Sequence, residues 1–250
     1  MAYVLEEMTW PAVEDALDET RLVVVPTASI EQHGPHLPLA VDTIRARELG
    51  RRIADRLDCF VAPTVRPGRS DHHMAFPGTI SLAEETFRSV VRDYCESLVA
   101  HGFEHIALFT SHGGNTASIE ALAPELDADL DANVFVAGDR EGMMAARTGA
   151  MAEFGVSPEE AGAHAGAAET AFVMETDPDL VHDTAGTTGF VGDIDEAEAD
   201  VADGLDALTD NGVLGDPEQA DPEQGEELIE RCAAYLADEI QQETERLEAA

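Results

Sequence analysis

Four short apolar runs alternating with three helix-length patterns restrict the fold of this chain more than any other feature. Leu22 to Pro26, Cys59 to Val65, Ile106 to Thr110 and Val134 to Gly138 are rich in β-branched and aromatic residues. Runs of that kind read as parallel strands buried on both faces. Between them, Thr43 to Leu57, Leu82 to His101 and Thr116 to Asp129 have the length and pattern of helices. The second helix is expected to open on a capping box, Ser81 with Glu84 three residues on, and to stop at Gly102. Strand and helix in regular order predict an α/β fold, a single-domain α/β/α sandwich around a mostly parallel sheet. Ligands in such sheets sit beyond the carboxyl ends of the strands.

Two polar segments fall at those ends. Glu31-Gln32-His33-Gly34-Pro35-His36-Leu37-Pro38-Leu39-Ala40-Val41-Asp42 follows the first strand, and Ser111-His112-Gly113-Gly114-Asn115 follows the third. Glu31 and His33 are two apart, so in an extended segment they point the same way and could grip one ion. Asp42 stands at the expected start of a helix, where a carboxylate either caps free amides or ligates a metal. His112 precedes two glycines, which let backbone approach a ligand closely. A third cluster, His164 with Glu169, precedes the helical pattern Ala171 to Glu175. Together these groups give mixed imidazole and carboxylate donors for two ions of zinc, manganese or iron(II). His36 is expected to orient a ligand and His73 to reach the pocket from its loop, whereas His72, His101, His105 and His182 read as surface or cap residues. Ser29 and Ser111 lack the Gly-x-Ser-x-Gly setting of a serine hydrolase.

Charge decides which partners are excluded. Against 52 acidic residues stand 14 basic ones, every one an arginine, for a net charge of -38. Such a field repels nucleic-acid phosphates and anionic membranes, so neither is expected as a partner. Its self-repulsion is relieved at high ionic strength, which reads as adaptation to the cytoplasm of a halophile. The start of the chain has no charged and apolar leader pattern and no apolar run reaches spanning length, so the protein is expected to be cytoplasmic. Cys59, Cys95 and Cys232 are scattered and odd in number, as reduced, buried thiols are.

One domain is expected over 1–250, with the motifs in about 5–185, a solvated acidic segment over 186–225 and a closing helix over 226–248. No Arg or Lys occurs between Thr148 and Glu230. Within the acidic segment, Asp193-Ile194-Asp195-Glu196 lacks the glycine and terminal Glu of a calcium loop.

Four motifs in order carry a resemblance. Glu31-Gln32-His33-Gly34-Pro35-His36-Leu37-Pro38 with Asp42, then His73-x-x-Phe76-Pro77-Gly78-Thr79, then His112-Gly113-Gly114-Asn115, then His164-Ala165-Gly166-x-x-Glu169-Thr170 resemble the creatininase (creatinine amidohydrolase) family. The resemblance implies a single α/β domain with two divalent metal ions per subunit, hydrolysing a C–N amide bond of a small molecule within a homo-oligomer, often a hexamer. It implies Glu31, His33, Asp42 and His112 as metal ligands with Asp42 bridging, and His164 matches the family's catalytic His, the expected general acid; His73, Gly113, Gly114 and Asn115 are expected to meet the substrate. Creatininase proper carries a liganding Glu two residues after the His that matches His112, and this chain has Gly114 there. Glu169 is the remaining motif carboxylate, and it is expected to supply that ligand and to serve in catalysis. The substrate stays open between a creatinine-like cyclic amide and a formylaminopyrimidine ribonucleotide of riboflavin or deazaflavin biosynthesis. A peptidase acting at a peptide C-terminus and a non-catalytic metal-binding protein are further alternatives. Trp10 is the only tryptophan, so the aromatic walls that creatininase builds around its substrate are not expected.

Raising KCl from about 0.1 M to about 1 M shortens the screening length from about 10 Å to about 3 Å. The thermal unfolding midpoint is expected to rise over that series; a level or falling midpoint would remove the halophilic reading.

Overall fold

The computed structural model describes residues 2–193 and 204–249. Its centre is one parallel sheet of five strands: β1 (Tyr3–Val4), β2 (Leu22–Thr27), β3 (Phe60–Val61), β4 (His105–Thr110) and β5 (Asn133–Val136), in the order β1-β3-β2-β4-β5. Parallel neighbours need long crossovers, and helices supply most of them. These are α1 (Trp10–Ala16), α2 (Val41–Leu57), α3 (Glu84–Ala100) and α4 (Thr116–Asp129), followed by α5 (Arg140–Ala152), α6 (Pro158–Ala161), α7 (Ala167–Thr176) and α8 (Pro222–Glu248). The expected α/β/α sandwich is therefore present.

Side-chain alternation along the strands builds its two cores. Val23 and Val25 of β2 with Ile106 and Leu108 of β4 pack against α1, α3 and α4, while Val24, Ala107 and Phe109 pack against α2, α5, α7 and α8. Both faces are buried, which explains why the strand sequences lack a polar face. The second expected strand is shorter than its apolar run: Pro63 has no amide to donate, and the ladder resumes only at Val65, bridged to Thr27.

The sheet also fixes where a site can lie. From β2 the chain moves to β3 on one side, and from β4 to β5 on the other, so strand order reverses between the adjacent β2 and β4. The crevice at such a reversal is where α/β sheets bind ligands, and the segments 31–42 and 111–115 both emerge there.

Local signals fared unevenly. Helix α3 does stop as expected, with Gly102 at φ +96° and its amide bonded to the Val99 carbonyl. The capping box at its start does not form. Ala83 precedes the helix without a side-chain cap, and Ser81 Oγ instead accepts from the Ser70 amide and donates to Asp71, both at 2.9 Å. That hydroxyl is taken by the loop leading to His73.

The acidic segment differs more. Helix α8 begins at Pro222, capped by Asp221 with Gln224, and the residues before it are not simply solvated. Leu205, Val213, Leu214 and Pro217 are buried; Leu214 bridges His164, and the Phe190 amide bonds the Val213 carbonyl at 3.0 Å. Its apolar residues thus make a strap across the rim, while Asp206 and Asp210 between them are exposed. The alternative calcium loop at Ile194, Asp195 and Glu196 lies outside the described residues. All three cysteines are buried and free, and no described helix is long and apolar enough to cross a membrane.

Phe60 is fully buried where β3 meets Tyr3 and Phe103, with ring centroids 5.0 Å apart in both pairs. Phe60→Ala is expected to lower the unfolding free energy by about 3–5 kcal/mol in a denaturant titration.

Candidate metal centre

The polar groups at the rim converge on Asp42, the second residue of α2. Ala40 precedes that helix without a side-chain cap, so Asp42 is not spent on free amides. Its side chain is buried, with Oδ2 3.3 Å from His112 Nδ1 and Oδ1 3.7 Å from His33 Nε2. One carboxylate thus faces two imidazoles through its two oxygens. The Ser111 hydroxyl, donating to the Asp42 carbonyl at 2.7 Å, ties the end of β4 to this turn of helix.

Three overlapping groups of donors form among the described residues: Glu31 with Asp42 and His112, Oε1 3.2 Å from His112 Nδ1; Glu169 with His33 and His164, Oε2 3.6 Å from His33 Nε2; and Glu31 with His73 and His164. His164 is shared by two of the groups, its Nδ1 3.8 Å from Glu31 Oε1, and His73 Nε2 is 3.3 Å from the same oxygen. Glu31 and His33 therefore fall into different groups instead of gripping one point together. Past Ile30 the chain is irregular, with Gly34 at φ +67°, so the alternation that would align them does not apply.

Backbone carbonyls set the free nitrogen of each ring. His112 Nε2 donates to the Arg69 carbonyl at 2.6 Å, leaving Nδ1 toward Glu31 and Asp42. His33 Nδ1 donates to the Glu31 carbonyl at 3.2 Å, leaving Nε2 toward Asp42 and Glu169. Locking one ring nitrogen in this way is how proteins aim an imidazole at a metal. Glu169 is held as firmly, accepting from the Ala165 amide at 2.7 Å and from Arg45 at 2.5 Å.

Burial and mutual charge shift these groups. Burial opposes ionisation of Asp42 and Glu31, but the neighbouring imidazoles outweigh it and hold Asp42 well below, and Glu31 below, the usual range. Burial likewise pulls His33 down, yet Asp42, Glu169 and Glu31 push it up to about 9, and His112 is raised by Glu31 and Asp42. Glu169, despite burial, is brought to about 2, chiefly by Arg45. His164 goes the other way, lowered to about 4 by burial and by His33, and His73 is lowered by burial and by His164. Divalent ions would compete with protons for the lone pairs on His33 and His112.

The donor set fits such ions. Glu31 Oε1 and Oε2, Asp42 Oδ2 and His33 Nε2 are buried without a hydrogen-bond partner among the described residues. So many orphaned atoms in one cluster are costly unless a cation meets them. Carboxylate oxygens with imidazole nitrogens suit zinc, manganese or iron(II).

Gly114 has a structural reason. A Cβ there would lie 2.3 Å from the Arg69 carbonyl and 2.4 Å from His112 Nε2, so no carboxylate can grow from this position while that carbonyl holds His112. Gly113, by contrast, has open space around it. Asn115, expected to meet substrate, is fully buried with its amide committed to protein: Oδ1 accepts from the Arg69 amide at 2.9 Å and Nδ2 donates to the Ala28 carbonyl at 3.2 Å. Its evident work is to hold the Arg69 loop. His36 Nε2 donates to Thr170 Oγ1 at 2.9 Å, beneath α7.

His72 departs from expectation. Its sequence reads as a surface residue; instead its ring stacks on His112 at 5.9 Å with an 8° tilt and lies 4.2 Å from His73. Sequence reasoning also missed Gln32, Arg45 and Arg147. Arg45 had a signal, since i,i+3 from Asp42 on a helix places it beside that carboxylate. Arg147, donating to the Ala161 and Gly162 carbonyls near Glu169, had none.

Comparison with known proteins gives the family and the fold. The family described as Creatininase, creatinine amidohydrolase, matches residues 6–240. A mycofactocin precursor peptide peptidase of Mycolicibacterium smegmatis is 30% identical over 88% of this chain and 84% of its own. A creatinine amidohydrolase of Pseudomonas putida is 29% identical over 45% of this chain and 46% of its own. Among solved structures, one titled "Creatininase Mn" superposes with a TM-score of 0.76 at 24% identity, covering 97% of this chain and 99% of that one, a likeness of fold.

Gly114→Ala is expected to lower the unfolding free energy by about 1–3 kcal/mol, the cost of forcing a methyl into occupied space. Gly113→Ala should lose far less in the same denaturant titration, and equal losses would contradict the contact with the Arg69 carbonyl.

Proposed function

The chain belongs to the creatininase family, hydrolases of carbon–nitrogen bonds other than peptide bonds, and from that premise we infer that it cleaves the amide bond of a small molecule with two divalent metal ions. The observation that carries this reading is Asp42, whose two oxygens face His112 and His33 while Glu31 stands beside His112 and Glu169 beside His33. Glu31, Asp42 and His112 would hold one ion, and His33, Asp42 and Glu169 the other. Zinc, manganese and iron all suit these donors. Bound there, divalent ions lower the pKa of water toward neutrality and polarise an amide carbonyl.

The protein's own part is positioning and proton handling. His164 Nε2 donates to the Gln32 carbonyl at 2.7 Å, which leaves Nδ1 as a lone pair, the atom that can take a proton from the attacking water and pass it to the departing nitrogen. Arg45 fixes Glu169 and offsets its charge. His73 and the open backbone at Gly113 border the place a substrate would take, and Gly114 keeps the Arg69 carbonyl on His112. Glu169 completes the donor set that Gly114 cannot supply.

Substrate identity is the finer part of the proposal. Trp10 is 77% exposed on α1, so no tryptophan lines the centre. That disfavours creatinine and leaves a small formamide, such as a formylaminopyrimidine ribonucleotide, as a strong candidate. One observation favours a second reading, cleavage at a peptide C-terminus: the peptidase relative aligns over 88% of this chain, the creatinine amidohydrolase over 45%. We assign the enzyme to a homo-oligomer in a high-salt cytoplasm.

Protein stripped by a chelator and reloaded with zinc, manganese or iron should be assayed on creatinine, a formylaminopyrimidine ribonucleotide and a short peptide. Turnover of a small amide is expected only in reloaded protein. His164→Gln should lower kcat by about 100-fold with metal content unchanged. Full activity in stripped protein would sink the reading, and cleavage of the peptide alone would transfer it to the second.

A further inference from the structure

Between His73 and His164, two of the three imidazoles beside Glu31, lies a primary amide that the chemistry above leaves without a task. Gln32 is 5% exposed. Its Oε1 accepts from the Gly34 amide at 2.9 Å, and its Nε2 donates to the Gly212 carbonyl at 3.1 Å. Backbone groups cannot exchange donor and acceptor roles, so these two bonds decide which end of the side-chain amide is which. The second amide hydrogen then falls to His73 Nδ1 at 2.9 Å. His73 must accept there, and as a neutral imidazole it carries its proton on Nε2, the atom 3.3 Å from Glu31 Oε1.

The count closes on the other side as well. His164 Nε2 gives its hydrogen to the Gln32 backbone carbonyl at 2.7 Å, so its 3.0 Å approach to Gln32 Nε2 is a contact and not a bond. The strap is shaped to this arrangement: a Cβ on Gly212, at φ +76°, would stand 2.0 Å from Gln32 Oε1. The partner that orients the amide thus comes from the far end of the chain, 180 residues away.

The geometry points to Gln32 as a positioning residue, one that holds His73 in the Nε2–H form so that this N–H faces the reacting centre as a hydrogen-bond donor. A donor there can meet the carbonyl oxygen of a bound amide and strengthen its hold as that oxygen gains charge. The inference rests on the centre being an amide-hydrolysing site, but the tautomer is a property of the resting protein.

Two readouts separate those claims. Imidazole 15N shifts of the zinc-loaded protein report which ring nitrogen of His73 is protonated; Nε2–H is expected. Gln32→Glu puts an acceptor where the amide donated, so His73 Nδ1 must become protonated and its shifts must move. In that variant kcat should fall by about 10- to 100-fold, with KM and bound zinc changing far less. An Nδ1–H tautomer in the unsubstituted protein overturns the proposal, as does a Gln32→Glu variant whose His73 shifts or kcat stay put. If none of the assayed amides turns over, the hydrolase reading fails while the shifts still decide the tautomer. Should Gln32→Glu not fold, the His73 shifts of the unsubstituted protein support or overturn the proposal by themselves.

Discussion

Three carboxylates buried within one small volume are the condition that the rest of this structure meets. Glu31, Asp42 and Glu169 are each under 5% exposed. Burying an ion without compensation costs several kcal/mol even after relaxation. The compensation is divided: Arg45 and the Ala165 amide bond Glu169, with Arg45 also 3.8 Å from Asp42, while Glu31 and Asp42 face His112 and Asp42 faces His33, imidazoles whose other nitrogens are tied to carbonyls. A protein that commits so many donors to one point, and leaves several unpartnered, is arranged around a cation.

That arrangement depends on the sheet. Adjacent strands β2 and β4 send their chains to opposite sides, which opens the crevice, and the first turn of α2 delivers Asp42 into it. Asn115 and Gly114 then bring the Arg69 loop close enough for its carbonyl to orient His112. From the other end of the chain, the strap before α8 closes on Gln32 and pairs with His164. The centre is thus assembled from segments that share no local sequence relation.

Much of this was legible beforehand. Apolar runs gave four of the five strands because buried parallel strands need little else, while the two-residue β1 was too short to leave a pattern; the donors at 31–42, 112 and 164–169 stood out as residue types that ligate metals. Boundaries were less secure where tertiary contacts compete: Ser81 gives its hydroxyl to the Asp71 loop instead of capping α3. The pairing of Glu31 with His33 failed because local alternation presumes a regular strand. His72 looked like a surface residue because nothing in the sequence signals that its loop folds back onto His112.

By itself, the sequence determined the layers, the rim at which the site lies and the chemical kind of its groups, because hydrophobic period and donor type are local properties. The tertiary structure decided which donors share a neighbour, which imidazole nitrogen is free, and why Gly114 carries no carboxylate. Those depend on carbonyls and charges brought together from separate segments, 43 residues apart for Arg69 and His112 and 180 for Gln32 and Gly212, and at such range the distances are set by packing.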